Sequence, residues 1–164
     1  MPITPFHFGP GAAVHSLAPK HVSFLAFCAA NALMDVEPLY YIITGQFPLH
    51  RFFHTYVGAT LILLMPVALL LGAFKLASVI PLPNPFAWKQ LTIRQVAIGA
   101  ALGSYSHVAL DSLMHSDIRP LAPFSEGNPL FRLVSLSTLH WSCVAAGVLG
   151  LALVGIRTLG RASS

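Results

Sequence analysis

The chain has 164 residues, of which 55% are hydrophobic and only 9% are charged. Because soluble domains carry roughly 25% charged residues, this composition excludes an ordinary soluble protein and indicates that most of the surface meets lipid. The Lys and Arg residues, which give a net charge of +4, form no basic run, so we expect a lipid bilayer and no nucleic acid as the partner.

The first 20 residues are predicted to form a short N-terminal helix or one leg of a hairpin with the segment that follows. The leg from His7 to Lys20 and the leg from Lys20 to Asp35 would each run about 20 Å, at ~1.5 Å per residue. Such a hairpin would return His7 to the level of Asp35.

Four apolar segments have the length of about 20 residues that a membrane-spanning helix needs. They cover about 21–43, 52–74, 94–115 and 133–156. We therefore predict a single all-α integral membrane domain over 1–164, a bundle of four transmembrane helices. A proline-rich turn, PLPNPFAWKQ (81–90), separates the second and third spans, and a loop over 116–132 separates the third and fourth.

The basic residues are distributed unequally between the two predicted membrane sides. Six lie on one side: Lys20, Lys75, Lys89, Arg94, Arg157 and Arg161. Three lie on the other: Arg51, Arg119 and Arg132. Since basic loops favour the cytoplasm, we expect a multi-pass protein of a bacterial inner membrane, with residues 157–164 in the cytoplasm.

Polar side chains collect at the other, periplasmic end of this predicted bundle. His50 and His54 are four residues apart and are predicted to share one helical face. His107, Asp111 and His115 repeat that interval on the third span.

The first span adds two carboxylates, Asp35 and Glu37, to the same end. Pro38 disfavours helical geometry in the residue before it. The helix is therefore predicted to break at Glu37 and to turn both acids inward.

A metal ion explains this concentration of acids and imidazoles. Carboxylates in a low-dielectric site repel one another and lose hydration, and a divalent cation offsets both effects. Mixed His and carboxylate ligands favour Zn²⁺, with Mn²⁺ and Fe²⁺ as alternatives.

The motifs MDVEP, HRFFHT and SHVALD resemble those of the bacterial inner-membrane metal-dependent hydrolases, the LexA-binding, inner-membrane-associated hydrolase group. That family carries Thr–His, Pro-Asp-x-Asp, His-Arg-Gly-x-Thr-His and Ser-His-x-x-x-Asp elements in this order. The similar segments here are 3–7, 34–37, 50–55 and 106–111. The chain departs from the pattern with Met34 in place of Pro, Glu37 in place of the second Asp, and one residue fewer between His50 and His54.

This resemblance implies a metal-dependent membrane hydrolase acting through a metal-activated water. The expected metal ligands are His7, Asp35, His50, His54, His107 and Asp111. Glu37 is the expected general base and His115 the expected acid, while Arg51 or Arg119 would hold a phosphate or carboxylate. A site at headgroup depth suggests a lipid-like or phosphorylated substrate.

Two other functions fit the same residues. A haem-binding electron-transfer protein could use two of His54, His107 and His140 as axial ligands. A non-catalytic membrane protein, either a metal or proton transporter or an assembly factor, is the other alternative. A transporter with four helices would need to oligomerise.

Overall fold

The computed structural model describes residues 5–162, and within that range the chain is helical and contains no β-strand. Six α-helices occur in this range: α1 Phe8–Leu17, α2 Phe24–Met34, α3 Val36–Ile43, α4 Tyr56–Ala77, α5 Ile93–Met114 and α6 Leu136–Ala162. Three 3-10 helices accompany them: Pro5–His7, Phe52–His54 and Pro85–Gln90. The predicted all-α class is confirmed. Ile3 and Thr4 of the N-terminal motif, and Ser163 and Ser164 of the tail, lie outside the described residues.

Helix α5 is the centre of the bundle, because it packs against both α2 and α4. Small side chains allow this close approach: Ala30 and Ala100 are fully buried between the helices, and a Cβ at Gly99 would overlap the Ser23 carbonyl. Thr92 and Gln95 form a capping box that fixes where α5 begins, since each satisfies the other's backbone N–H. The helix therefore carries its buried polar residues to one defined end of the bundle.

Helix α6 packs mainly on α1 at the edge of the bundle. A Cβ at Gly9 of α1 would overlap the Cys143 carbonyl of α6. The crossing therefore depends on a glycine, as in closely packed membrane helices. Phe6, in the 3-10 turn that carries His7, also stacks on His140 of α6, with ring centroids 4.5 Å apart.

The segment predicted as the first span is divided into α2 and α3, and the break lies at Asp35. The prediction of a break at Glu37 was wrong by two residues. Pro38 has no N–H to donate to the carbonyl four residues earlier, at Met34, and its ring crowds that carbonyl. The helix is therefore interrupted on the N-terminal side of Glu37.

The second helix begins later than predicted, at Tyr56. The Thr55 hydroxyl accepts a hydrogen bond from the Gly58 N–H at 2.9 Å and caps α4. His50 and His54 therefore precede the helix, and the prediction that they share an α-helical face was wrong. The two rings still meet, with centroids 4.6 Å apart, because the 3-10 turn folds the chain back on itself.

Among the described helices, Tyr56–Ala77 and Leu136–Gly160 are long and apolar enough to cross a bilayer. Helix α5 has 22 residues, but its polar side chains make it less apolar than α4. The 21–43 segment forms helices of only 11 and 8 residues. Four spans therefore stay a prediction, while two of the described helices are both long and apolar enough to cross a bilayer.

Candidate metal centre

Two groups of potential metal ligands lie side by side at one end of the bundle. Within each group the ligand atoms all lie within 4.8 Å of one another. Group 1 contains Asp35, His54 and His107, and group 2 contains His50, Asp111 and His115. Each group offers two imidazoles and one carboxylate and can hold a metal ion.

The Asp111 carboxylate joins the two groups. Its Oδ2 lies 3.3 Å from His107 Nε2, 3.7 Å from His54 Nε2 and 3.9 Å from His50 Nε2. Its Oδ1 lies 3.1 Å from His7 Nε2. Four imidazoles from three separated parts of the chain thus converge on one buried acid.

Three of these imidazoles form a hydrogen bond through Nδ1, the ring nitrogen that faces away from Asp111. The pairs are His107 with Asn31 Oδ1 at 3.0 Å, His54 with Glu37 Oε2 at 3.2 Å, and His50 with Asp117 Oδ1 at 3.0 Å. The Asn31 oxygen is oriented as an acceptor because its amide donates to the Phe27 carbonyl at 2.9 Å. Since all three partners accept, each Nδ1 carries the hydrogen and each Nε2 faces the carboxylates, which is the arrangement of metal-binding histidines.

Several buried atoms of the centre have no hydrogen-bond partner among the described residues. In group 1 these atoms are His54 Nε2, His107 Nε2 and Asp35 Oδ2, and His7 Nδ1 beside it is likewise unpartnered. Buried polar atoms are otherwise almost always hydrogen-bonded. A cation would be the missing partner of these atoms, so their position close together indicates a cation site.

The local structure explains how these side chains meet. Asp35 lies between α2 and α3 with helical backbone angles (φ −72°, ψ −11°), and its Oδ1 lies 3.5 Å from His107 Nε2. His107 and Asp111 lie one turn apart on α5, and both are buried. His115 is the C-cap of that helix, and its ring stacks on His50 at 4.5 Å.

Glu37 lies behind the centre and belongs to neither group. Its Oε2 accepts hydrogen bonds from the backbone N–H groups of Arg51 and Phe53, both at 3.1 Å, and from His54 Nδ1. The three donors converge on one oxygen and fix the carboxylate behind His54. The sequence-based role of Glu37 as a general base stays a prediction, and these contacts favour a supporting role.

The other predicted residues have different surroundings. The Arg51 guanidinium lies 3.7 Å from the Tyr41 ring centroid, and its Nε donates to the Pro48 carbonyl at 3.0 Å. His140 on α6 stacks on Phe6 at 4.5 Å and is in neither ligand group. His7, a predicted ligand, contacts Asp111 but is also outside both groups.

Two residues of the site are not predicted from the sequence, Asn31 and Asp117. Asn31 is fully buried one helical turn before Asp35, and a polar residue at that spacing inside an apolar segment is a usable signal. From the sequence alone, Asp117 is expected to be a solvated loop charge. Partial burial acts to raise its pKa, but hydrogen bonds from the His50 ring and from the His50 and Leu49 N–H groups outweigh this and lower the pKa.

Comparisons with protein-family models, with curated proteins and with solved structures found no match to this chain. The family resemblance of the motifs therefore stays an expectation, and the geometry of the two ligand groups is the basis for assigning a function.

Proposed function

We propose that this protein is a membrane-embedded hydrolase that uses two divalent cations to cleave a phosphoester in a lipid-like substrate. The observation that carries the proposal is the meeting of two three-ligand groups at the Asp111 carboxylate.

Electrostatics favour cations in these groups over an ion-free hydrogen-bond network. With Nδ1 protonated, the Nε2 lone pairs of His54 and His107 face the lone pairs of carboxylate oxygens at 3.3–3.7 Å. The alternative, several imidazolium rings packed together out of water, carries a large desolvation penalty. A divalent cation in each group attracts every atom that faces it.

The ligand sets favour catalytic metal sites. Three protein ligands per ion leave a coordination position open for water or substrate, whereas structural zinc sites are closed by four. Two nitrogens and one oxygen in each group favour Zn²⁺, with Mn²⁺ and Fe²⁺ as alternatives. Asp111 belongs to group 2, and its Oδ2 also lies 3.3 and 3.7 Å from the His107 and His54 Nε2 atoms of group 1.

Bound cations would supply Lewis acidity and lower the pKa of water from about 15.7 toward 7. The protein's own contribution is orientation. Asn31, Glu37 and Asp117 each hold one imidazole in the tautomer that turns Nε2 inward. We assign Glu37 and Asp117 as positioning residues and His115 as a ligand of group 2.

The substrate class follows from the charge and place of the centre. Paired metal sites suit phosphoesters, since two cations stabilise both the attacking and the leaving oxygen. The centre lies beside the first turn of α4, one of the two helices long and apolar enough to span a bilayer. A phosphorylated amphiphile could present its headgroup there, and the bias of basic residues suggests the periplasmic side of an inner membrane.

The haem alternative is disfavoured by the surroundings of the imidazoles. Carboxylate oxygens of Asp35 and Asp111 lie within 3.3–3.7 Å of the inward nitrogens of His54 and His107. A porphyrin plane between these rings would have to displace both acids.

Metal analysis and a hydrolysis assay on the detergent-purified protein test the proposal. We expect about two equivalents of a transition metal, and cleavage of bis(p-nitrophenyl) phosphate or a short-chain phospholipid. Asp111→Asn, which preserves the shape of the side chain, should lose metal and activity. The control is His21→Gln, since His21 is exposed and should change neither.

The possible results lead to different conclusions. Wild-type protein with less than about half an equivalent of metal after zinc loading would refute the metal centre. Full metal without turnover of any phosphoester would refute the hydrolase and favour the non-catalytic metal-binding or transport alternative. A Soret band would favour haem.

A further inference from the structure

A cavity of ≈ 530 Å³ opens beside ligand group 2. Its lining residues are Pro48, His50, Arg51, Phe52, Thr55, Asp117, Arg119, Ala122, Pro123 and Glu126. His50 belongs to the metal centre, so the cavity borders the place where the reaction is proposed to occur. Its volume is within the range of small-molecule sites, about 300–1,000 Å³.

The two arginines of the cavity are not equivalent. The Arg51 guanidinium lies against the Tyr41 ring and donates to the Pro48 carbonyl and the Gln46 side chain. Arg119 pairs with Glu126, seven residues later in the same loop. Both members of that pair are mostly exposed, at 62% and 69% of their side-chain surface, so the pairing is weak and exchangeable.

The backbone that carries Arg119 is well anchored. Asp117 accepts the N–H groups of Leu49 and His50 at 3.0 and 3.2 Å, Ile118 is 1% exposed, and the Pro120 carbonyl accepts the Tyr56 N–H at 2.9 Å. Arg119 thus has a fixed Cα, so binding a ligand would order only its exposed side chain and not the backbone, which limits the entropic cost.

The exposed Arg119 side chain is the group of the cavity that can receive an anion. Asp117 keeps its charge, but its oxygens accept hydrogen bonds from the His50 ring and from the Leu49 and His50 N–H groups, and Glu126 is paired with Arg119. An entering phosphate would replace the Glu126 carboxylate on the guanidinium, whose parallel N–H donors suit two hydrogen bonds to a phosphate. The apolar wall of Phe52, Ala122 and Pro123 would contact the carbon skeleton next to that phosphate.

We propose that Arg119 binds the phosphate of an amphiphilic phosphoester in this cavity and that Glu126 occupies Arg119 until that substrate arrives. The proposal deepens the proposed function and rests on it for the identity of the substrate. Of the two arginines expected from the sequence, Arg51 and Arg119, it assigns Arg119 as the anion-binding residue.

Calorimetric titration of zinc-loaded protein in maltoside micelles tests this assignment without requiring turnover. The probes are dihexanoyl phosphatidic acid and inorganic phosphate. We expect Arg119→Ala to weaken binding of phosphatidic acid by about tenfold, since a charge-assisted pair is lost, and Glu126→Gln to tighten it about threefold by removing the competing carboxylate. The matched control is Arg132→Ala in the same loop, whose guanidinium lies 5.0 Å from the Phe131 ring centroid and does not line the cavity.

The two probes separate a lipid from a free anion. Phosphatidic acid that binds more tightly than phosphate, with both affected by Arg119→Ala, supports an amphiphile. An Arg119→Ala protein that binds both probes as the wild type does would overturn the proposal, as would a Glu126→Gln protein that binds phosphatidic acid more weakly. Equal binding of the two probes would refute an amphiphilic substrate and would show a site for phosphate alone.

The results distinguish failure of the Arg119 assignment from failure of the proposed hydrolase function. If hydrolysis is observed but Arg119→Ala changes no binding constant, only the Arg119 assignment fails. If Arg119→Ala and Glu126→Gln shift binding in opposite directions and no phosphoester is cleaved, the anion site stands and the hydrolase does not.

Discussion

Replacing Glu37 with Gln separates the two roles that this carboxylate can have. In the structure its Oε2 accepts three hydrogen bonds, from Arg51 N, Phe53 N and His54 Nδ1, at 3.1–3.2 Å. A Gln side chain is almost the same size and can keep its oxygen at that position. The substitution therefore removes the negative charge and leaves the backbone contacts in place as neutral hydrogen bonds.

The expected effect is a loss of metal affinity. A hydrogen bond to a charged partner contributes about 1 kcal/mol more than a neutral one, and substitution of an outer partner of a metal-bound imidazole lowers affinity by about 10–100-fold. We expect zinc to bind to group 1 of Glu37→Gln about 10–100-fold more weakly, with activity restored at saturating zinc. Loss of a general base would instead lower kcat by about 10²–10⁴-fold at unchanged affinity.

Competition with a chromophoric chelator measures the zinc affinity directly. Glu126→Gln is the matched control, because Glu126 is a largely exposed acid outside both ligand groups and its loss should leave zinc affinity unchanged. A Glu37→Gln protein with wild-type zinc affinity and a lost kcat would refute the supporting role and restore the general base.

Four substitutions, each with its own measurement, test the centre and the fold. Asp111→Asn should reduce metal content in both groups, whereas Asp35→Asn should reduce it by about one equivalent; elemental analysis distinguishes them, and equal losses would contradict a shared carboxylate. Gly9→Ala should lower the free energy of unfolding in detergent by about 1–3 kcal/mol through overpacking between α1 and α6. The control is Gly155→Ala, whose added Cβ would meet no described atom within 4 Å and should not lower it. Equal melting temperatures of the two variants would contradict the close crossing. Thr92→Ala should cost about 1 kcal/mol by removing the cap of α5, and an unchanged unfolding midpoint would show that the cap contributes nothing.

The sequence was most informative about local structure. Runs of apolar residues give the helices, because hydropathy and capping act among residues within about one turn of each other. Because these signals are local, the first and last residues of the helices are predicted less accurately than the helices themselves. The first segment breaks at Asp35 because of Pro38, and α4 begins only at Tyr56 because Thr55 caps it. A count of apolar residues includes neither interaction.

The sequence also placed the acids and imidazoles at one end of the bundle. The spacing of His107 and Asp111 on one helix and the order of the short motifs were sufficient to nominate the residues that the structure brings together. His115 joins group 2, whereas His7 lies outside both groups although its Nε2 is 3.1 Å from Asp111 Oδ1. Membership requires every ligand atom of a group to lie within 4.8 Å of the others, and the sequence does not give those distances.

Only the tertiary structure decided how the residues cooperate. Asn31 and His107 are 76 positions apart, and His50 and Asp117 are 67 apart, so no local pattern connects the members of either pair. The sequence by itself determined the helical, lipid-compatible chain and its supply of ligands. The packing of α2 and of the segment before α4 against α5 determined which carboxylate is shared, which acids orient imidazoles, and which nitrogen of each ring faces inward. Those properties depend on distances between distant segments, which are fixed only when the helices pack.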